Sequence, residues 1–166
     1  MSDKLKYLGY SIVFQEVPDE ITLALNISGC PHRCEGCHSK YLWEYKGNYV
    51  ADDLESLIKQ YDGLITCVCF MGGDQNFQEL CEHFRTIKSY GLKTCLYSGA
   101  EELPKHMTPG LFDYIKLGHY DEQLGGLDQP TTNQIFWKLS INEQDRTTKV
   151  DNITYKFQKE HHNEQI

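Results

Sequence analysis

The chain has 166 residues, enough for one domain with a sizeable core and too few for a complete eight-unit (β/α) barrel. Its 24 acidic residues outnumber 16 basic ones, for a formal net charge of -8, which argues against a nucleic-acid binder with its basic patch or stripe. No segment has the apolar core of a signal peptide or the length of a membrane span, and seven cysteines in such a chain point to a reducing cytoplasm, with thiols kept for metal rather than disulfides.

Residues 10–17 and 21–27 are strand-like runs divided by the turn signal Pro18-Asp19-Glu20. The second run delivers a loop that carries Cys30, Cys34 and Cys37 in the pattern C-x3-C-x2-C. Gly29, Pro31 and Gly36 break regular structure there, so the thiols are expected on a tight loop at a strand's C-terminal end. Thiolates are soft ligands suited to zinc, copper(I) or iron–sulfur clusters. Three of them from one loop leave one position of a tetrahedral or cubane site open, and an open position marks a reactive rather than a structural centre. The competing readings are a zinc knuckle that adds His32 or His38, or cysteines that are merely buried. Tyr41-Leu42-Trp43 is expected to pack the far side of the loop.

Asp52 reads as a helix N-cap with Glu55 in the capping-box position, and Leu54, Leu57, Ile58 and Tyr61 follow at helical spacing. Gly63 stops that helix. Residues 64–70 form a continuous apolar run, as in a strand buried on both faces of a parallel sheet. After Met71-Gly72-Gly73-Asp74 a second helix shows Phe77, Leu80, Cys81, Phe84 and Ile87 on one face, and Gly91 ends it. Strands are expected at 93–97, closed by Ser98-Gly99, and at 112–117. Cys67, Cys69, Cys81 and Cys95 fall in these apolar elements and read as small core hydrophobes.

Alternating strands and helices imply right-handed βαβ units and a parallel sheet. The fold class is therefore α/β, an open, partial (β/α) barrel of a single domain spanning 1–166, with a core at about 21–136. Its active-site loops would gather at the strands' C-terminal ends. Residues 135–141 and 153–157 are expected to pair as a β-hairpin around 142–149, in a C-terminal extension that covers 137–166. The polar tail, with His161 and His162, reads as solvated.

The cysteine spacing, its strand context and its glycines resemble the radical S-adenosylmethionine (radical SAM) superfamily. That resemblance implies a 4Fe-4S cluster on Cys30, Cys34 and Cys37, with SAM bound to the fourth iron. Gly72, Gly73 and Asp74 sit where the superfamily carries the Gly-Gly-Glu or Gly-Gly-Asp step that meets the amino group of SAM. Two glycines alone would signal only a tight turn. Gly36, Cys37 and His38 are implied to lie near the adenine, although His38 is as readily a solvent-exposed loop residue. Ser98 is a further candidate SAM contact. No general acid or base is required, and no catalytic side chain is nominated.

Within the superfamily the chain resembles the activating proteins of anaerobic (class III) ribonucleoside-triphosphate reductase. The likeness rests on the cysteine motif, Lys40-x2-Trp43, Met71-Gly-Gly-Asp74 and Thr131-Thr-Asn-Gln134. It departs at Lys116-Leu117-Gly118, where an Asp-Gly pair is common, and at Gln75, where proline is common. The resemblance implies that flavodoxin or ferredoxin reduces the cluster, that SAM yields a 5′-deoxyadenosyl radical, and that this radical takes a hydrogen atom from a glycine of the reductase subunit. The rivals are an activase of another glycyl-radical enzyme, a compact radical SAM enzyme for a small molecule such as the deazapurine ring-contracting type, and a non-enzymatic zinc or iron–sulfur module.

Overall fold

The computed structural model of the chain describes residues 3–158; the tail with His161 and His162 lies outside the described residues. Eight strands form one mixed sheet: β1 (Lys6–Val13), β2 (Thr22–Ile27), β3 (Asn48–Tyr49), β4 (Cys67–Met71), β5 (Lys93–Tyr97), β6 (Tyr114–Leu117), β7 (Ile135–Ile141) and β8 (Thr148–Asn152). Their order is β3-β1-β2-β4-β5-β6-β7-β8. Strands β2, β4, β5 and β6 run parallel, and the flanking pairs are antiparallel. Helices α1 (Val50–Gln60) and α2 (Phe77–Ser89) make the β2–β4 and β4–β5 crossovers.

The apolar runs of the parallel strands are explained by two buried faces. Leu23, Leu25, Val68, Phe70, Leu96 and Ile115 join Leu54, Leu57, Ile58, Leu80, Phe84 and Ile87 of the helices in one core. Ala24, Cys67, Cys69, Cys95, Tyr114 and Phe136 pack together in a second cluster. The four non-loop cysteines accordingly take core roles: Cys67, Cys69 and Cys95 are fully buried and Cys81 is half-buried on α2.

Strand β4 starts at Cys67 rather than Leu64 and β6 at Tyr114 rather than Phe112, and three boundaries differ more, each for a physical reason. First, the opening strand covers 6–13 rather than 10–17, with an extra residue between Tyr7 and Tyr10 accommodated by Gly9 at φ +90°. Second, helix α1 starts at Val50, capped by Tyr49 without a side-chain bond, so Asp52 lies inside the first turn instead of capping it. The earlier start buries Val50 completely beside Leu54, while Asp52 and Asp53 still favour the helix dipole. Third, β7 pairs with 148–152, not 153–157. Asn142 and Thr147 close a short turn (N–H to O 2.8 Å), so the hairpin returns sooner. Ile153 then folds beneath the sheet, and residues Thr154–Phe157 form a 3-10 turn that sets Phe157 on Phe136 at 5.0 Å between ring centroids.

A buried carboxylate ties the N-terminal ends of the strands together. Glu20 accepts hydrogen bonds from Tyr114 Oη (2.7 Å), Thr66 Oγ1 (2.8 Å) and Lys93 Nζ (2.9 Å). Burial pushes its carboxyl up, but the hydrogen bonds from Tyr114, Lys93 and Thr66 outweigh that and hold it below the usual value. A depressed carboxyl contributes stability that is present above its unfolded pKa and is lost as pH falls through the folded one. Glu20→Gln is expected to cost about 2 kcal/mol in urea unfolding at neutral pH, because charge-assisted bonds of this kind contribute about 1.5–3 kcal/mol each and the variant keeps weaker ones. The gap between the two proteins should narrow as pH falls through the carboxylate range.

Candidate metal centre

The cysteine loop is fixed at both ends before any metal is considered. Ser28, fully buried at the end of β2, donates its hydroxyl to the Lys46 carbonyl and accepts from Lys46 N–H at 3.1 Å. Gly29 N–H donates to Glu44 O (3.2 Å) and Cys30 N–H to Leu42 O (3.0 Å), which zips the two arms of the loop together. Leu42 is buried and Trp43 half-buried on the cavity wall, whereas Tyr41 is 48% exposed, so of the packing expected for residues 41–43 only Leu42 and Trp43 supply it. At the tip, Cys37 N–H bonds Cys34 O (3.1 Å) and Ser39 N–H points at Cys37 Sγ (3.4 Å).

All three loop cysteines line one cavity of about 250 Å³ at the C-terminal ends of the parallel strands. Register explains its floor. Asn26, Met71, Tyr97 and Lys116 are direct lateral neighbours across β2, β4, β5 and β6, and all four line the cavity. Of the residues singled out from sequence, Gly72, Asp74 and Ser98 line it as well. Asp74 Oδ2 accepts from Ser98 Oγ at 2.7 Å, and the His32 ring nitrogen lies 3.4 Å from the same oxygen. The turn that allows this needs glycine: Gly72 has φ +105° and Gly73 φ +113°.

Other predicted residues stand elsewhere. Gly73 faces the core, where an added Cβ would lie 3.1 Å from Leu80. Gly36 lies beneath Glu122, whose carboxylate would meet a Cβ there at 2.5 Å. His38 is exposed and packs on Tyr120, 5.5 Å between rings.

Two residues that sequence reasoning did not place in the site complete it. Lys116 reaches the cavity with Nζ on Ser98 O (3.1 Å) and Gly118 O (3.0 Å). Burial pushes its pKa down, and the nearby Cys34, Asp74 and Cys30 pull it back up. A lysine inside the apolar run Tyr-Ile-Lys-Leu was the available signal. Gln134 is buried and directs its side-chain amide to Gly118 O at 3.4 Å. Its Thr-Thr-Asn-Gln context was visible, but its position could not be read from spacing.

The three thiols share the cavity wall without being drawn into a ligand set; among the described residues no three His, Cys, Asp or Glu side chains form one as they stand. The donor chemistry nevertheless fits an iron–sulfur group. The thiols are free and half-exposed, an amide N–H already addresses Cys37 sulfur, and the loop backbone is pinned at both ends. The buried cysteines do not compete, because burial raises the thiols of Cys67 and Cys95 far above the ordinary range. A second, polar cleft of about 590 Å³ shares His32, Cys34, Gly99 and Tyr120 with the cavity and is otherwise rimmed by Glu35, Glu101, His119 and Glu122, among others.

The family model described as a 4Fe-4S single cluster domain matches residues 21–113, from the strand that carries the cysteine loop to the start of β6. Neither the comparison with curated proteins nor that with solved structures returned a match.

Proposed function

Because the chain belongs to the 4Fe-4S single cluster domain family, we propose that it is a radical SAM activase, which generates a glycyl radical on anaerobic ribonucleoside-triphosphate reductase. The observation that carries this reading is the cavity itself. It brings the three cysteines together with Gly72, Asp74, Ser98 and Lys116, contributed by the C-terminal ends of all four parallel strands. A metal that only held the fold together would need none of those strand-end polar groups. A small, polar, charged ligand such as the methionine part of SAM would use them all.

On this reading Cys30, Cys34 and Cys37 hold the cluster, Asp74 and the backbone of Gly72 receive the amino group, and Ser98 stays a candidate contact for ribose or carboxylate. When bound, the cluster and SAM supply one-electron reduction and a carbon-centred radical. The protein orients the ligand and keeps competing hydrogen donors away. The parallel strands β2, β4, β5 and β6 are read as the partial barrel of that superfamily. Seven free cysteines suit a reducing cytoplasm.

The test is anaerobic reconstitution with iron and sulfide, then reduction in the presence of SAM, with an assay for 5′-deoxyadenosine. Formation of that product supports the activase reading, and a glycine-centred electron paramagnetic resonance signal on added reductase subunit identifies the partner. A reconstituted, reducible cluster that leaves SAM intact would rule the reading out.

A further inference from the structure

We propose that the exposed cations Arg33 and Lys40, set around the half-buried Trp43 on the cysteine loop, form the docking surface for an anionic electron-carrier protein. The inference rests on the reading that this loop holds a reducible cluster, and it adds where the electron arrives.

The observations start from charge. The chain is acidic, with a formal net charge of -8. The cleft on one flank of the loop follows that balance, with Glu35, Glu101, Asp121 and Glu122 in its walls. Two cations on the same loop reverse it. The Arg33 guanidinium lies 5.6 Å from the centre of the Trp43 ring, and Lys40 Nζ lies 5.9 Å from it. Both cations are exposed, and among the described residues neither forms an ion pair. By contrast Lys46, the third cation of the loop, pairs with Glu44 at 3.6 Å.

The arrangement is held rather than loose. Arg33 has φ +47°, a left-handed conformation that residues with side chains seldom adopt, and the pinned loop maintains it. Stacking on an indole orders both long side chains while leaving their charges to solvent. Tyr41, 48% exposed, extends the face with an aromatic ring, and a rigid aromatic beside arginine is the composition enriched at protein interfaces.

Position gives the face its use. Arg33 is bonded directly to Cys34, and Lys40 lies three residues beyond Cys37, so a protein seated there approaches the ligand loop itself. Opposite charge steers such an encounter. In the transfer one electron leaves the reduced carrier, which is oxidised by one equivalent, and the cluster gains it; no bond is made or broken.

The experiment compares the reconstituted wild-type chain with an Arg33→Glu/Lys40→Glu variant by stopped-flow reduction, using reduced flavodoxin as the anionic carrier. Photoreduced deazaflavin serves as a neutral, small reductant. The wild-type rate with flavodoxin should fall as salt rises. The charge-reversed protein should be reduced about tenfold more slowly or worse at low salt, a size typical of lost electrostatic steering. Its rate with deazaflavin should match wild type. Equal flavodoxin rates in the two proteins, a wild-type rate indifferent to salt, or an equal loss with deazaflavin would each overturn the proposal. The wild-type salt profile needs no variant, and a rate indifferent to salt overturns the proposal even if the double substitution impairs cluster assembly. Failure of the activase reading shows elsewhere, as a deazaflavin-reduced wild-type chain that forms no 5′-deoxyadenosine.

Discussion

Replacing Cys34 by alanine leaves a folded chain that can no longer hold a full 4Fe-4S cluster. Folding should survive because Cys34 is half-exposed on the loop, and its main-chain carbonyl, which alanine keeps, makes the turn bond to Cys37 N–H. The loop's anchors lie elsewhere, at Ser28, Gly29 and Cys30 N–H. Cluster binding should not survive, since no other cysteine can step in. Cys67, Cys69 and Cys95 lie within the buried interior and Cys81 sits on α2. Extrusion of a buried thiol would expose core surface, and left in place Cys67 and Cys95 resist deprotonation because burial raises their thiols. Iron and acid-labile sulfide per chain should drop well below wild type while far-ultraviolet circular dichroism stays the same. Wild-type iron content in the variant would contradict the ligand assignment.

Replacing Lys116 by methionine should make the cluster harder to reduce. The ammonium is desolvated in the wall of the cavity that carries the three cysteines, and Cys34 and Cys30 are among the groups that support its charge. An electron added to an anionic cluster is stabilised by a nearby cation, and a unit charge at cavity range in an effective dielectric near 20 contributes on the order of 2 kcal/mol. For a one-electron couple that corresponds to roughly 60–100 mV. A potentiometric titration followed by electron paramagnetic resonance should find the midpoint lowered by that order. Methionine nearly preserves side-chain volume, but it leaves Ser98 O without its donor and Gly118 O with only the longer bond from Gln134, so a modest stability loss of about 1–2 kcal/mol should accompany the shift. An unchanged midpoint in a folded variant would show that the charge is too remote to act.

The parts of this fold that were legible in the sequence are those governed by short-range pattern. The apolar runs of β4 and β5 could be read from buried parallel strands, and the cysteine loop from its spacing and glycines. The buried face of α2 followed from periodicity, and its N-cap Asn76, accepting from Glu79 N–H, obeys the usual preference. What escaped depended on partners far along the chain. Val50 became helical because it had core to bury, which outranked the cap expected at Asp52. Strand β8 stopped at Asn152 because the 142–147 turn set the register. Lys116 and Gln134 joined the site because lateral pairing across the sheet and the chain reversal after Gly118 brought them there, and neither can be inferred from residues in sequence order. Gly36 and Gly73 met the wish for glycine, yet what they accommodate is Glu122 and Leu80.

The two margins of the sheet bear on how the molecule meets other proteins. One margin is β1, which the two-residue strand β3 covers only at Lys6 and Tyr7 and which bulges at Gly9, and the other is β8, whose exposed residues include Lys149 and Asp151. A bulged strand and a charged one are poor templates for recruiting a further strand from another chain. The sheet is thereby guarded against lateral self-association, and visitors are discouraged from binding by extending it. Recognition is left to the crown of loops at the other end of the parallel strands, so an inhibitor designed to engage this protein should be shaped to plug a pit rather than to continue a ribbon.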